Sequence, residues 1–497
     1  MRHTFLAGVL AAATLASQGL AAQAACTATS SRPVLDPARR PVQGTTLTMA
    51  AARYRVGTTE YATNVYNGQF MGPTLTMLPG QTFALNVVNN MSATPVQPAT
   101  QVSRTNFHTH GLVVTPKPTY GDNVTNVSIP NGGGRNAYNF PVPAYHTQGM
   151  FWYHPHPHEL TSSQVAGGLS GALMVGSILT YFPEYDGVRE RTLLIRDMLF
   201  TFGSPLLFNI NGSTCARLPV APGEKQLWHI GNFSANSFVN LKLTGAQWTL
   251  LAMDGNPLAA EEQIDSLYIP PGSRAEVIVT GPTNGQPVQL ITDTYPGGPK
   301  TPTTLGYVVP AATRARALRT PRPRRAGLDA AVVDTLRFLR NATNVNRDTF
   351  RYSFPSQTTA AVNGVVYSPG DAPVMIPWGQ VQEWTIINES TALHTFHIHQ
   401  TDFDIIELNG VAVTDSMLRD NVPVGIHQVN GQTVGDTVVV RFTFEPIAEG
   451  PFVFHCHVLQ HEDEGMMMNV CVYDPADPTR GKQTCQNYFS GQTHAGH

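Results

Sequence analysis

The chain has 497 residues, more than one ordinary hydrophobic core accommodates, so two or three domains are expected. Charged residues make up only 13%, while Gly (43) and Pro (38) are abundant, a balance that favours short strands and tight turns over helices. The net charge of -3 leaves no basic field to argue for nucleic acid as a partner.

At the N-terminus, Met1-Arg2 precedes an apolar, Ala-rich run from about Phe5 to Ala16 and a small-residue site, Ala22-Gln23-Ala24. This pattern predicts a signal peptide over 1–24, cleaved near Ala25. An Arg-Arg pair is missing, and Cys26 lacks a Leu three residues before it, which favours unfolded export without a lipid anchor. No later segment runs apolar long enough to span a bilayer, so a periplasmic or secreted protein with no membrane partner is expected. Five cysteines follow: Cys26, Cys215, Cys456, Cys471 and Cys485. An odd count in an exported chain leaves one over, and Cys456, between two histidines, is the odd one. The other four allow two disulfides in any of three pairings.

Three stretches repeat one pattern of an Asn-Gly pair, a second turn, and a strand ending in Asn. They are Asn67-Gly68 with Pro79-Gly80 and the run Thr82 to Asn90; Asn211-Gly212 with Pro222-Gly223 and the run Leu227 to Asn232; and Asn363-Gly364 with Trp378-Gly379 and the run Trp384 to Asn388. Asn-Gly and Pro-Gly signal turns, and the alternating apolar runs signal strands. Copies about 150 residues apart predict three related all-β sandwich domains. The expected bounds are 45–175, 191–309 and 328–497, with an Arg- and Pro-rich linker over 310–327.

Ten of the 17 histidines fall in four motifs: His108-Thr109-His110, His154-Pro155-His156, His394-Thr395-Phe396-His397-Ile398-His399, and His455-Cys456-His457 through His461. Residues two apart on an extended strand share a face, so each His-x-His pair presents two imidazoles together. In the last motif His455 and His457 share a face and Cys456 points the other way. In the third, His397 and His399 share a face and His394 has the opposite parity. Extended segments therefore put Cys456 and His394 in one site and the remaining histidines in another behind it, joined through the backbone of Cys456. One thiolate, two imidazoles and a thioether (Cys456, His394, His461, Met466) form a blue-copper set with Met as the weak axial ligand. Twelve ligands in four motifs exceed what a four-coordinate structural zinc site uses.

These four motifs resemble those of the multicopper oxidases, a family that includes laccases, ascorbate oxidase and copper-efflux oxidases. The likeness spans nearly the whole mature chain and implies three cupredoxin-like Greek-key β-sandwich domains, the central one without ligands, holding four copper ions. Carried over by motif, the type 1 copper takes His394, Cys456, His461 and Met466, and the type 2 copper takes His108 and His397. One type 3 copper takes His110, His154 and His457, and the other takes His156, His399 and His455. Asp122 and Glu462 resemble the acids that relay protons for dioxygen reduction. His158 is expected beside the ligands rather than among them. His146, His229 and His427 are expected to be ordinary surface or core residues, and His494 and His497 lie in the tail.

The resemblance implies an oxidase passing single electrons from a small reductant to dioxygen, and a monomer is expected. The 14 Met are scattered, with only Met466-Met467-Met468 clustered, so no thioether-rich segment marks a cuprous substrate. That favours laccase-like phenol and aromatic-amine donors over cuprous or ferrous ions. A non-catalytic copper-binding protein is the reading from another class, and a complete set of twelve ligands argues against it.

Overall fold

The structure, a computed structural model, describes residues 26–56, 59–118, 120–198, 207–311, 328–414 and 417–490. The expected signal peptide, nearly all of the Arg/Pro-rich linker, and His494 and His497 fall outside these residues.

The chain is all-β and folds as three cupredoxin-like sandwiches. The first pairs a four-stranded sheet, ordered Gly134–Pro141, Thr82–Asn90, Thr45–Val56, Thr59–Tyr66, with a five-stranded sheet ending in Gly149–His154 and His108–His110. Two six-stranded sheets make the second; one carries Lys225–Asn232 beside Arg274–Thr280. A six-stranded sheet around Val381–Asn388 and a five-stranded sheet containing Met467–Tyr473, Gly450–Cys456 and His394–Ile398 make the third. Each sandwich encloses its own apolar core. Some strands alternate buried and open positions, as Val381–Asn388 does, whereas Gly149–His154 and Gly450–Cys456 are among those buried at every residue. Both faces of those two strands are covered: the second sandwich packs on Gly149–His154, with Phe233 stacked 4.5 Å from Trp152, and Val124 of the first sandwich packs against Val453 of Gly450–Cys456.

The Asn-Gly turn of the sequence repeat is reproduced in all three copies. Asn67, Asn211 and Asn363 have φ of 52, 48 and 53°, each followed by a positive-φ glycine, the conformation that Asn-Gly hairpin turns require. Each Asn side chain then clips the neighbouring strand. Its Oδ1 accepts from Thr48, Leu194 or Arg351 N at 2.8, 2.8 and 2.9 Å. Its Nδ2 donates to Thr46, Thr192 or Thr349 O at 3.1, 2.7 and 3.3 Å. The strand-end residues are Asn89, Asn232 and Asn388, each accepting from the amide two residues on, so the first copy uses Asn89 where the pattern points to Asn90.

Disulfides Cys26–Cys215 and Cys471–Cys485 fix the pairing, and Cys456 is the free, buried cysteine. The first ties the N-terminal segment to the second sandwich, where Arg32–Pro33 pairs with Ala216–Val220. The second pins the helix Pro478–Phe489 to the strand Met467–Tyr473. All three sandwiches meet where Val165, Ala235 and Leu459 pack together. There, Asp463 of the third sandwich caps the helix Thr161–Ala166, accepting from Thr161 and Ser162 N at 3.0 and 2.8 Å. No helix among the described residues is long and apolar enough to cross a membrane.

Candidate metal centre

Antiparallel pairing of His394–Ile398 with Gly450–Cys456 sets Phe396 opposite Cys456 and His397 opposite His455. On the core side, Cys456 Sγ lies 3.6 Å from His394 Nδ1 and 3.7 Å from His461 Nδ1. His461 arrives from the short helix Leu459–Asp463 that follows the strand. Ser390 Oγ engages His394 Nε2 at 2.8 Å, which leaves Nδ1 facing the sulfur. Thr395 N donates to the sulfur at 3.5 Å, and Phe354 packs against both imidazoles with ring centroids 5.5 and 5.0 Å away. Met466 is fully buried in the same core, and its carbonyl accepts from Cys456 N at 3.0 Å. Burial pushes the Cys456 thiol up to about 12, so a thiolate here calls for a cation beside it.

Behind this group, His108, His110, His154, His156, His397, His399, His455 and His457 converge. Three tight groupings of donor atoms come from this set, His108 with His110 and His154, His108 with His397 and His399, and His156 with His399 and His455, and a fourth joins His110 and His397 to Asp420. His110 Nδ1 and His457 Nε2 are 3.2 Å apart, completing the eight. Strand pairing explains the convergence within the first sandwich: Trp152 and His154 lie opposite His110 and His108. Trp152 stacks on His154 at 4.2 Å and walls the cluster with an apolar ring.

The outer nitrogens are anchored. His108 Nδ1 meets Asp122 Oδ2 at 3.0 Å, His154 Nδ1 meets Pro155 O at 2.8 Å, His397 Nδ1 meets Asp420 O at 2.7 Å, and His455 Nδ1 meets Cys456 O at 3.1 Å. Such contacts place the proton outside and leave a bare lone pair inside. His156 Nε2 and His455 Nε2 face each other at 3.1 Å, and the buried His108, His154 and His397 Nε2 atoms have no hydrogen-bond partner among the described residues. Uncompensated, each such atom costs about 1–3 kcal/mol. Burial, reinforced by the neighbouring imidazoles, holds His110, His154, His156, His397, His399 and His457 well below the usual histidine range, so they stay neutral. Neutral imidazoles aimed at one another, with one thiol set apart, fit borderline-soft metal ions such as copper.

Three family models described as multicopper oxidase match the chain, over residues 48–178, 151–294 and 337–476. The chain belongs to the multicopper oxidase family. A multicopper oxidase of Staphylococcus haemolyticus is 25% identical, over 82% of this chain and 83% of its own. Among solved structures, a laccase from Pediococcus acidilactici superposes with a TM-score of 0.72 at 22% identity, covering 89% of this chain and 94% of its own. A Campylobacter jejuni multicopper oxidase described as a metallo-oxidase superposes with a TM-score of 0.68 at 20% identity, covering 88% and 96%. As a multicopper oxidase, the chain is a copper-dependent oxidoreductase with dioxygen as acceptor.

Both acids singled out in the sequence sit against this multicopper oxidase's imidazoles. Asp122 is buried under His108 and also accepts from Thr109 N at 3.2 Å and Thr109 Oγ1 at 2.8 Å. Glu462 lies 3.4 Å from His156 Nδ1 and 3.2 Å from His455 Nδ1, and accepts from Thr161 Oγ1 at 2.9 Å. Burial, and then the Asp463 charge beside it, pushes the Glu462 carboxyl well above its usual range. His158 lines, with His156, Arg104, Asn126 and Tyr367, a cavity of about 330 Å³ at the cluster's edge. His146 is buried and accepts from Val113 N at 3.1 Å, and burial lowers it to about 4. His229 is buried between Glu190 and Glu276, and His427 pairs with Asp436 at the surface. Sequence reasoning missed Asp420 and Asn421, which touch His110 from outside the cluster, and Arg274, which grips Asp420; none stands in a motif.

Proposed function

We propose that the chain couples one-electron oxidation of phenols and aromatic amines to four-electron reduction of dioxygen to water, in the periplasm or outside the cell. His394, Cys456, His461 and Met466 would hold the mononuclear copper. His108 and His397 would hold a second copper; His110, His154 and His457, and His156, His399 and His455, would hold the remaining two. When bound, copper supplies the one-electron couple at the first site and the reducing equivalents that dioxygen takes up at the second.

One observation carries the reading: a single tripeptide serves both donor sets. Cys456 Sγ faces His394 at 3.6 Å while His455 Nε2, one residue away, faces His156 Nε2 at 3.1 Å. Electrons entering at Cys456 therefore have a covalent path of one residue to either flanking imidazole. Partly exposed His461, packed on Phe354, is where a flat aromatic donor meets the first site. Separating entry from the buried cluster lets one-electron donors serve a reaction that consumes four electrons and four protons. Asp122 and Glu462 contact imidazoles from outside the cluster and are placed to hand protons inward. The cavity beside His156 gives a small molecule access to the cluster's edge.

Oxygen uptake by the copper-loaded protein, compared across a dimethoxyphenol, an aromatic diamine, cuprous ion and ferrous ion, tests this. Turnover on the phenol and diamine at least tenfold above that on either metal ion, without peroxide, is expected. Preference for a metal ion would make the chain a metallo-oxidase, and a fully loaded protein that consumes no oxygen would make it a sequestering protein.

A further inference from the structure

The middle sandwich lends no imidazole or thiol to either donor set, yet one of its side chains grips a residue that contacts the cluster. Arg274 begins the strand Arg274–Thr280 and is fully buried. Its guanidinium grips Asp420 with two parallel bonds, Nη1 to Oδ1 at 2.8 Å and Nη2 to Oδ2 at 2.7 Å. The other three donors are also used: Nη1 to Gly272 O at 3.1 Å, Nη2 to Asp254 O at 3.0 Å, and Nε to Met150 O at 3.3 Å. All five N–H groups of a planar fork are thus satisfied by the three sandwiches, which fixes its orientation.

What the fork holds is in turn holding ligands. Asp420 Oδ1 lies 3.3 Å from His110 Nε2, Asn421 Nδ2 lies 3.0 Å from the same nitrogen, and Asp420 O accepts from His397 Nδ1 at 2.7 Å. One residue thereby sets the outer side of an imidazole from the first sandwich and one from the third, whose rings stack 3.9 Å apart at 10°. Glycine makes room for the arrangement. A Cβ on Gly111, at φ 88°, would sit 2.4 Å from Asp420 Oδ2 and 2.5 Å from Arg274 Nη2, and one on Gly272, at φ 90°, would sit 2.9 Å from the His457 ring.

We infer that Arg274 is a positioning residue of the copper cluster. By clamping Asp420 it fixes the ring planes of His110 and His397, so a domain without ligands controls how firmly the copper shared by His108 and His397 is held. The inference rests on the ligand assignment proposed above. Partners that orient ligating imidazoles are typically worth about 10–100-fold in metal affinity.

Chelator competition, copper counting and electron paramagnetic resonance on the holoprotein test it, with Arg274→Gln, which removes the charge, and Arg274→Lys, which keeps the charge but loses the fork. Both variants should keep the visible sulfur-to-copper band of the mononuclear site, which reports an intact third sandwich. Both should lose the mononuclear cluster copper, with its resonance signal, to about tenfold less chelator than wild type. Unchanged competition in Arg274→Lys, or loss of the visible band in step with the cluster copper in both variants, would overturn the inference. The second result is what general loosening produces. A wild-type protein that never develops the band would instead remove the ligand assignment itself.

Discussion

His229 stores pH-dependent stability in the middle sandwich. It is 3% exposed on the strand Lys225–Asn232, with Nδ1 2.6 Å from Glu276 Oε1 and Nε2 3.3 Å from Glu190 Oε2. Burial alone lowers an imidazole's affinity for a proton, but the two carboxylates outweigh it and raise His229 to about 9. Glu190, lowered to about 2 chiefly by its bond to His229, reports the same interaction and is not counted again. A folded pKa above the unfolded value of 6.5 gives stability that is fully present below 6.5 and lost as pH rises through about 9. At about 1.4 kcal/mol per pH unit, that span is worth about 3 kcal/mol. His229→Gln should therefore cost about 3 kcal/mol at pH 6, leaving Glu276 buried without its cation, and the deficit should close as pH rises to 9. Denaturant unfolding followed by tryptophan fluorescence includes this core in its signal, since Trp228 and Trp248, two of the five Trp, lie in it. A deficit that stays constant from pH 6 to 9 would refute the assignment of a charged His229.

Asn363→Ala keeps a turn at φ 53° with an unsuitable residue and removes two side-chain bonds, so it should cost about 1–3 kcal/mol in thermal unfolding; Asn363→Gly should recover only the backbone share. Glu462→Gln should slow steady-state oxygen uptake about a hundredfold or more while copper content and donor KM stay at wild-type values.

The parts of this protein written in local spacing were legible, and the parts assembled across long separations were not. Period-two geometry on strands foretold that Cys456 and His394 would face away from His397, His399, His455 and His457, because each motif carries its own parity. The Asn-Gly repeat announced three sandwiches because that pair favours one turn conformation. Asp420 and Arg274 are 146 residues apart and meet only because three sandwiches close around one point, so no spacing advertises them. His229 read as ordinary because its partners come from two other strands, at Glu190 and Glu276. Pairing of Arg32–Pro33 with the second sandwich was invisible for the same reason, and helix Pro478–Phe489 depends on a disulfide whose pairing sequence left open.

Replacing the Cys456 sulfur by oxygen is the most direct test of two donor sets sharing one tripeptide. Cys456→Ser, loaded with copper, should lose the intense visible band and electron entry from donors, yet retain about three coppers per chain in the imidazole cluster. A variant that keeps the band, or a cluster that empties together with the first site, would contradict the account.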